Sequence, residues 1–299
     1  MVTPVNKDLT IDKIAVYRIL DTFISAGVSP FILGTTGESA SIPANLKSEM
    51  VRLVADQVKG KLTIYAGISG NCLKETLEDA VRYQEVGVDV VVAHLPFYFP
   101  LTADQMLDYF EKLAFGVPCP LIIYNNPITV KQSVPLDIAE QLSYIQNIAG
   151  IKDSERGIER LDRSIQLWKD REDFVHLVGW TAQSAYALLK GSDGIVPSTA
   201  NFIPELYQSL YESAADGDSI MAFNLQDRAD RISDIYLKDR SVSQSIPALK
   251  YIMSLMDLCQ RHVFPPLNEP DIQEQNIIRD QLNQQWQFLL KADSRNENE

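Results

Sequence analysis

VDVVVAHLPFYFPLTADQMLDYFEKLAFGVPCPLIIY, residues 88 to 124, contains one complete copy of the unit that decides the fold. Its opening run, Val88 to Ala93, is short and apolar apart from Asp89, the pattern of a strand buried on both faces. Thr102 then precedes Ala103 with Gln105 three positions on, a capping box at a helix start. Ala103 to Phe115 carries helical periodicity, and a second buried run, Pro120 to Tyr124, follows. Strand, helix and strand in that order are a βαβ unit joining two parallel strands.

The same reading extends outward in both directions. Apolar runs recur at Pro30 to Leu33, Leu62 to Gly67, Ile148 to Lys152, Phe174 to Gly179 and Gly194 to Val196. Helical segments lie between or before them at Ile11 to Ala26, Ala44 to Val58 and Leu73 to Glu85. Thr10 reads as the cap of the first helix, and Gly27, Gly60, Gly87 and Gly191 follow helix ends. With the Val2-Thr3 stub as a further strand, the count reaches eight, and the closed solution is an α/β (β/α)8 TIM barrel; a doubly wound open sheet is the competitor. After Pro204 only helices remain, at Pro204 to Ala215, Ser219 to Lys238, Ser245 to Cys259 and Asp271 to Leu290. The expected organisation is a barrel over residues 1–216 and an appended C-terminal helical region over 217–299, ending in a solvated polar tail from about Ala292.

At 299 residues, with 45% hydrophobic and 22% charged, the chain can bury a core of that size. A net charge of −13 disfavours a nucleic-acid partner or an anionic membrane surface, both of which need a basic face. Cys72, Cys119 and Cys259 are far apart, which fits a reducing, cytoplasmic compartment better than a disulfide framework. No window is apolar enough to span a membrane, and the N-terminus lacks a signal-peptide pattern. His94, His176 and His262 are scattered and no acidic cluster has ligand spacing, so no metal is expected.

A barrel enzyme carries its reactive side chains at the C-terminal ends of strands. Three loops there are unusual: Gly34-Thr35-Thr36-Gly37-Glu38-Ser39, Tyr124-Asn125-Asn126-Pro127 and Gly150-Ile151-Lys152-Asp153-Ser154. An amine that closes a buried apolar run is partly desolvated, which favours the neutral nucleophile needed for carbonyl addition. A lone lysine of this kind more often snorkels to solvent. The Gly34 to Ser39 loop offers backbone N–H groups and two hydroxyls, a nest for a carboxylate, although it also reads as a plain turn. Tyr124 alone could be a core phenol, and the three loops together carry the argument.

These motifs, with Pro96-Phe97-Tyr98, Ser198-Thr199-Ala200-Asn201 and Phe264-Pro265-Pro266-Leu267, resemble those of the dihydrodipicolinate synthase and N-acetylneuraminate lyase family in order and spacing, over about Val2 to Leu267. The resemblance implies that Lys152 forms a Schiff base with pyruvate or a related 2-oxo acid, with no cofactor. It implies that Tyr124 passes protons and that Thr35 links it to Tyr98, which reaches in from a neighbouring subunit of a homodimer or a dimer of dimers. The Thr35 and Thr36 amides would hold the carboxylate, the backbone at Val196 would face the imine, and Gly179 would leave room for substrate. The family also has more residues of a first strand before its Thr-Pro, and the Val2-Thr3 stub is expected to pair beside the Pro30 to Leu33 strand.

Three departures bear on the subfamily. Thr129 stands where synthases carry an arginine for the second substrate's carboxylate, Phe97 and Phe99 replace a tyrosine and an asparagine, and Trp180, Thr181 and Ala182 replace the acidic residues of N-acetylneuraminate lyases. The Gly-Ile-Lys-Asp-Ser form is closer to 2-keto-3-deoxy sugar acid and 4-hydroxy-2-oxoglutarate aldolases. Asn126, Thr129, Gln183 and Ser198 would then meet substrate hydroxyls, or stabilise their own loops. The expected activity is a lyase acting on a 2-oxo acid by aldol cleavage, condensation or dehydration. The alternatives are a true 4-hydroxy-tetrahydrodipicolinate synthase, an N-acetylneuraminate lyase, or a keto-acid-binding sensor or scaffold. A phosphate-binding barrel is a further alternative, but Gly179 and Gly194 are isolated rather than part of the Gly-rich loops it needs.

Overall fold

A computed structural model describes residues 1–296. Strands β1 (Phe31–Ile32), β2 (Tyr65–Gly67), β3 (Val90–Ala93), β4 (Leu121–Asn125), β5 (Ile148–Asp153), β6 (Val175–Val178) and β7 (Gly194–Ile195) form one sheet in sequence order, every pair parallel. Parallel neighbours require crossover connections. After α1 (Lys13–Ala26), these are α2 (Ala44–Val58), α3 (Leu73–Val86), α4 (Ala103–Gly116), α5 (Pro127–Val130) with α6 (Leu136–Leu142), α7 (Ile158–Trp168) and α8 (Ser184–Lys190). The chain continues in α9 (Pro204–Ala215), α10 (Ser219–Leu237), α11 (Val242–Leu255) and α12 (Ile272–Asn296).

Alternation along each strand divides the buried residues into two sets. Ile32, Ala66, Val91, Ile123 and Ile151 face the helices and belong to the main core. Val92, Ile122 and Tyr124 face inward and cluster with Phe31, Tyr65 and Val175. Inward side chains thus line the interior of the curled sheet, as in an α/β barrel.

Local chemistry accounts for the helix ends. The Thr102–Gln105 capping box forms in both directions, and Gly27, Gly60, Gly87 and Gly191 take positive φ where helices stop. The first helix differs from expectation: its cap is Asp12, whose carboxylate accepts from the Ala15 amide at 3.1 Å. The Thr10 hydroxyl instead donates to Asp8 Oδ1 at 2.7 Å, because an Asx-type turn competes for it. The last helix runs through Asn296, past the expected start of a polar tail at Ala292; the tail's final residues, 297–299, lie outside the described residues.

The expected eighth strand does not form; the described residues contain seven. The Val2 amide donates to Asn201 Oδ1 at 2.7 Å, the Thr3 hydroxyl donates to the Gly37 carbonyl at 2.7 Å, and Met1 N donates to the Phe31 carbonyl at 2.5 Å. The Val2 amide is thus spent on a side chain, and Pro4 has no N–H with which to continue a ladder. β1 and β7 are the sheet's two edges, and a cavity of about 380 Å3 inside the sheet is lined by Phe31, Tyr65, Val92, Ile122, Lys152, Leu177 and Ile195. No helix among the described residues is long and apolar enough to cross a membrane.

Candidate active site

The β4–β5 ladder pairs Tyr124 with Lys152 and Asn125 with Asp153. Alternation sends the first pair into the barrel and the second toward the helices. Lys152 is 8% exposed, with its Nζ 4.1 Å from the Tyr124 ring centroid and 4.8 Å from that of Phe31. Outside the barrel, Asp153 accepts from Asn125 Nδ2 at 2.9 Å, from the Glu155 amide at 2.9 Å and from Arg160 Nε at 2.8 Å. Burial pushes the Asp153 carboxyl up, against the opposing pull of Arg160. This network anchors the end of β5 and so the backbone of Lys152.

The phenol has close polar neighbours. Asn126 Nδ2 donates to Tyr124 Oη at 3.0 Å and to Thr35 Oγ1 at 3.2 Å, and Thr35 Oγ1 lies 3.4 Å from Tyr124 Oη. Burial alone would push the phenol up. The charge of Lys152, with hydrogen bonds from Thr35, Ser154 and Lys152, outweighs burial and holds it below its ordinary value. A phenol so placed can give and recover a proton at lower pH than a free tyrosine.

Beside it, the Gly34 to Ser39 loop turns tightly: among the described residues none of the Thr35, Thr36 and Gly37 amides donates to a backbone carbonyl, whereas the Glu38 amide closes the turn onto Thr35 O at 3.0 Å. Thr35, Thr36 and Gly37 line a small recess together with Tyr124 and Lys152. Gly179 ends β6 where any larger residue would collide: a Cβ there would lie 1.9 Å from Ser154 Oγ and 3.2 Å from Lys152 Cε.

A cleft of about 540 Å3 opens over this centre, lined by Lys152, Tyr124, Thr35, Thr36, Gly179, Val196, Asn126 and Ser198 among others. Thr129 and Gln183 stay outside it. The Thr129 hydroxyl donates to the Asn126 carbonyl at 3.2 Å, and the Gln183 amide donates to the Trp180 carbonyl at 2.9 Å. Tyr98 also lies outside the chain's own cleft, 75% exposed and packed edge-to-face on Phe99. The three histidines lie outside the cleft too, and among the described residues no group of three or more His, Cys, Asp or Glu is arranged to hold a metal.

The cleft also contains residues that motif reading passed over: Arg156 from the loop after β5, and Asp230, Asp234, Lys238 and Asp239 from the end of α10 and beyond. Arg156 lies four positions beyond Lys152 and was within reach of a longer reading of that loop. The α10 residues carried no local signal, since only the packing of α10 on α8 and α9 brings them to the barrel mouth.

A lysine and a phenol facing each other inside a parallel barrel, beneath an open cleft, are the arrangement of an aldolase-type lyase. A sequence profile of the dihydrodipicolinate synthetase family matches residues 1–285, and the chain belongs to that family. It is 29% identical over 281 residues to the 4-hydroxy-tetrahydrodipicolinate synthase of Alkalilimnicola ehrlichii, covering 93% of this chain and 94% of that one. The dihydrodipicolinate synthase of Bacteroides thetaiotaomicron superposes with a TM-score of 0.89 at 30% identity, over 95% of this chain and 96% of that one. YagE of Escherichia coli, described as a putative 2-dehydro-3-deoxy-D-gluconate aldolase, is 28% identical over 92% of both chains. Its structure in complex with pyruvate superposes with a TM-score of 0.89, over 95% of this chain and 96% of that one.

Proposed function

We propose that this enzyme cleaves or forms a carbon–carbon bond of a 2-oxo acid, or dehydrates one, through an imine on Lys152. The observation that carries this reading is the placement of Lys152 Nζ 4.1 Å from the Tyr124 ring centroid, in a recess that Thr35, Thr36 and Gly37 also line. The nitrogen lone pair adds to the C2 carbonyl, Tyr124 supplies the proton with which oxygen leaves as water, and an iminium remains. When the C3–C4 bond breaks, the C4 hydroxyl gives its proton to the Tyr124 phenolate and that fragment leaves as an aldehyde, while the bond's electron pair moves into the iminium to give an enamine. Protonation at C3 and hydrolysis return the 2-oxo acid and the free lysine. In this reading the substrate itself supplies the electron sink, and no metal or organic cofactor takes part. The Thr35 and Thr36 amides hold the substrate carboxylate, and the backbone at Val196 faces the imine.

For the distal end of the substrate, Asn126 and Ser198 with Asp230 and Asp234 offer neutral and anionic acceptors suited to hydroxyls, in favour of a 2-keto-3-deoxy sugar acid. One observation favours a second reading. Arg156 lines the cleft with no ion-pair partner among the described residues, and it could grip a second carboxylate as a 4-hydroxy-tetrahydrodipicolinate synthase requires. The exposed Phe97-Tyr98-Phe99 edge supports a homodimer or dimer of dimers in which Tyr98 completes the partner's site. We take the helices after residue 216 as an appended region and the enzyme as cytoplasmic.

Borohydride reduction in the presence of pyruvate, read by intact mass, tests the imine. One pyruvyl adduct on the parent protein and none on Lys152→Ala is expected; an adduct that persists in the variant rules the assignment out. Turnover of 2-keto-3-deoxy sugar acids against aspartate semialdehyde plus pyruvate tests the substrate. A loss of kcat/KM of tenfold or more in Arg156→Ala, about 1.4 kcal/mol, confined to the semialdehyde would establish the second reading.

A further inference from the structure

Glu38 and Lys250 form an ion pair sealed from solvent, 2.7 Å apart with both side chains 0% exposed. The second Glu38 oxygen accepts from the Phe264 amide at 2.8 Å. The carboxylate therefore ties the Gly34 to Ser39 loop both to α11 and to the segment beyond it. Neither residue lines the cleft, yet both border groups that do. Glu38 follows the Thr35–Gly37 amides and closes their turn onto Thr35 O. Lys250 sits on α11 beside Ser245, Ile246 and Leu249, which form a wall of the cleft.

The backbone at Glu38 is left-handed, with φ of +59°, a conformation that suits glycine better than glutamate. A strained backbone position held by a buried, doubly bonded carboxylate is over-determined by its surroundings. An apolar pair of the same volume would hold the loop as firmly, since withdrawing two charges from water offsets their attraction. What the charged pair adds is direction: the two carboxylate oxygens must point at Lys250 Nζ and Phe264 N, which leaves one orientation for the turn.

We propose that the Glu38–Lys250 pair is a positioning device. It holds the Thr35, Thr36 and Gly37 amides and the Thr35 hydroxyl where they grip the substrate carboxylate and meet Tyr124. This inference rests on the Schiff-base reading of the same site. It predicts a defect in carboxylate binding beyond any loss of stability.

The test measures the pyruvate concentration that half-saturates the borohydride-trapped adduct, together with the melting temperature. In Glu38→Gln and Lys250→Met that concentration should rise at least about tenfold, while Lys250→Arg, which keeps the charge, should stay within about threefold of the parent. Glu38→Asp keeps the charge but shortens the reach by one methylene, and guards against misfolding of the harsher variants; it too should raise the half-saturating concentration. Variants that melt earlier yet trap pyruvate at the parental concentration would reduce the pair to a structural role and overturn the proposal. Absence of an adduct in the parent protein would remove the Schiff-base reading and this one with it. An adduct with unchanged half-saturation in every variant would remove this one alone.

Discussion

Tyr124 stands directly opposite Lys152 across β4 and β5, and its ring centroid lies 4.1 Å from the lysine Nζ. The cation lowers the phenol, and the phenol oxygen in turn is held by Asn126 and Thr35. Tyr124→Phe should therefore cost about 10²- to 10⁴-fold in kcat, the usual range for loss of a positioned proton donor. The Lys152 adduct with pyruvate should still be trapped, more slowly. In Lys152→Ala, with the cation gone and burial left, ultraviolet titration should find the phenol ionising at higher pH than in the parent. A shift to lower pH would mean that the coupling has the opposite sign.

Gly179→Ala tests how closely the cleft floor is packed. The added methyl meets Ser154 Oγ at 1.9 Å and Lys152 Cε at 3.2 Å, so Ser154 must shift and Lys152 must give by a few tenths of an ångström. A stability loss of about 1 to 3 kcal/mol is expected from overpacking. The larger effect should be on kcat, and denaturant melts beside steady-state rates separate the two. Parental kcat would show that Lys152 has more freedom than the geometry allows.

His176 should shape the acid limb of stability. It is fully buried, its Nε2 has no hydrogen-bond partner, and burial together with nearby Arg160 pushes it down to about 4. An unfolded histidine binds its proton near pH 6.5, so between about 6.5 and 4 the unfolded state holds a proton that the folded state does not. Folding stability should thus be intact above that window and fall by roughly 3 kcal/mol at most as pH drops through it. Urea melts of His176→Phe across the same range should show a flatter profile than the parent.

Tyr98 can act only if another subunit receives it, because it lies outside its own cleft. Sedimentation should find a dimer or larger species in the active enzyme. Mixing Lys152→Ala with Tyr98→Phe subunits should recover part of the activity, since one site in each hybrid dimer keeps both groups. Full activity in a monomer would remove Tyr98 from the mechanism.

Much of the fold was legible because the rules that govern it are local. Strands buried on both faces read as short apolar runs between helical segments, and the Thr102 box and the glycines at helix ends punctuate them. Lys152 and Tyr124 were legible because a barrel exposes the C-terminal ends of its strands, so unusual residues there draw notice. Where two local rules competed, the reading failed: Asp12 rather than Thr10 caps the first helix, and the Val2 amide donates to the Asn201 side chain instead of pairing in a strand.

By itself, then, the sequence determined the alternating α/β architecture, the family, and the strand ends that face the cleft. Tertiary structure decided the rest. Thr129 turns back onto its own loop and Gln183 stays outside the cleft, while Arg156 and the α10 aspartates line it, a choice set by how helices pack over the barrel mouth. Glu38 and Lys250, 212 positions apart, meet in a fully buried ion pair. Nothing in the neighbours of either residue along the chain encodes that meeting; it exists only once the loop after β1 and helix α11 are pressed together and water is excluded between them.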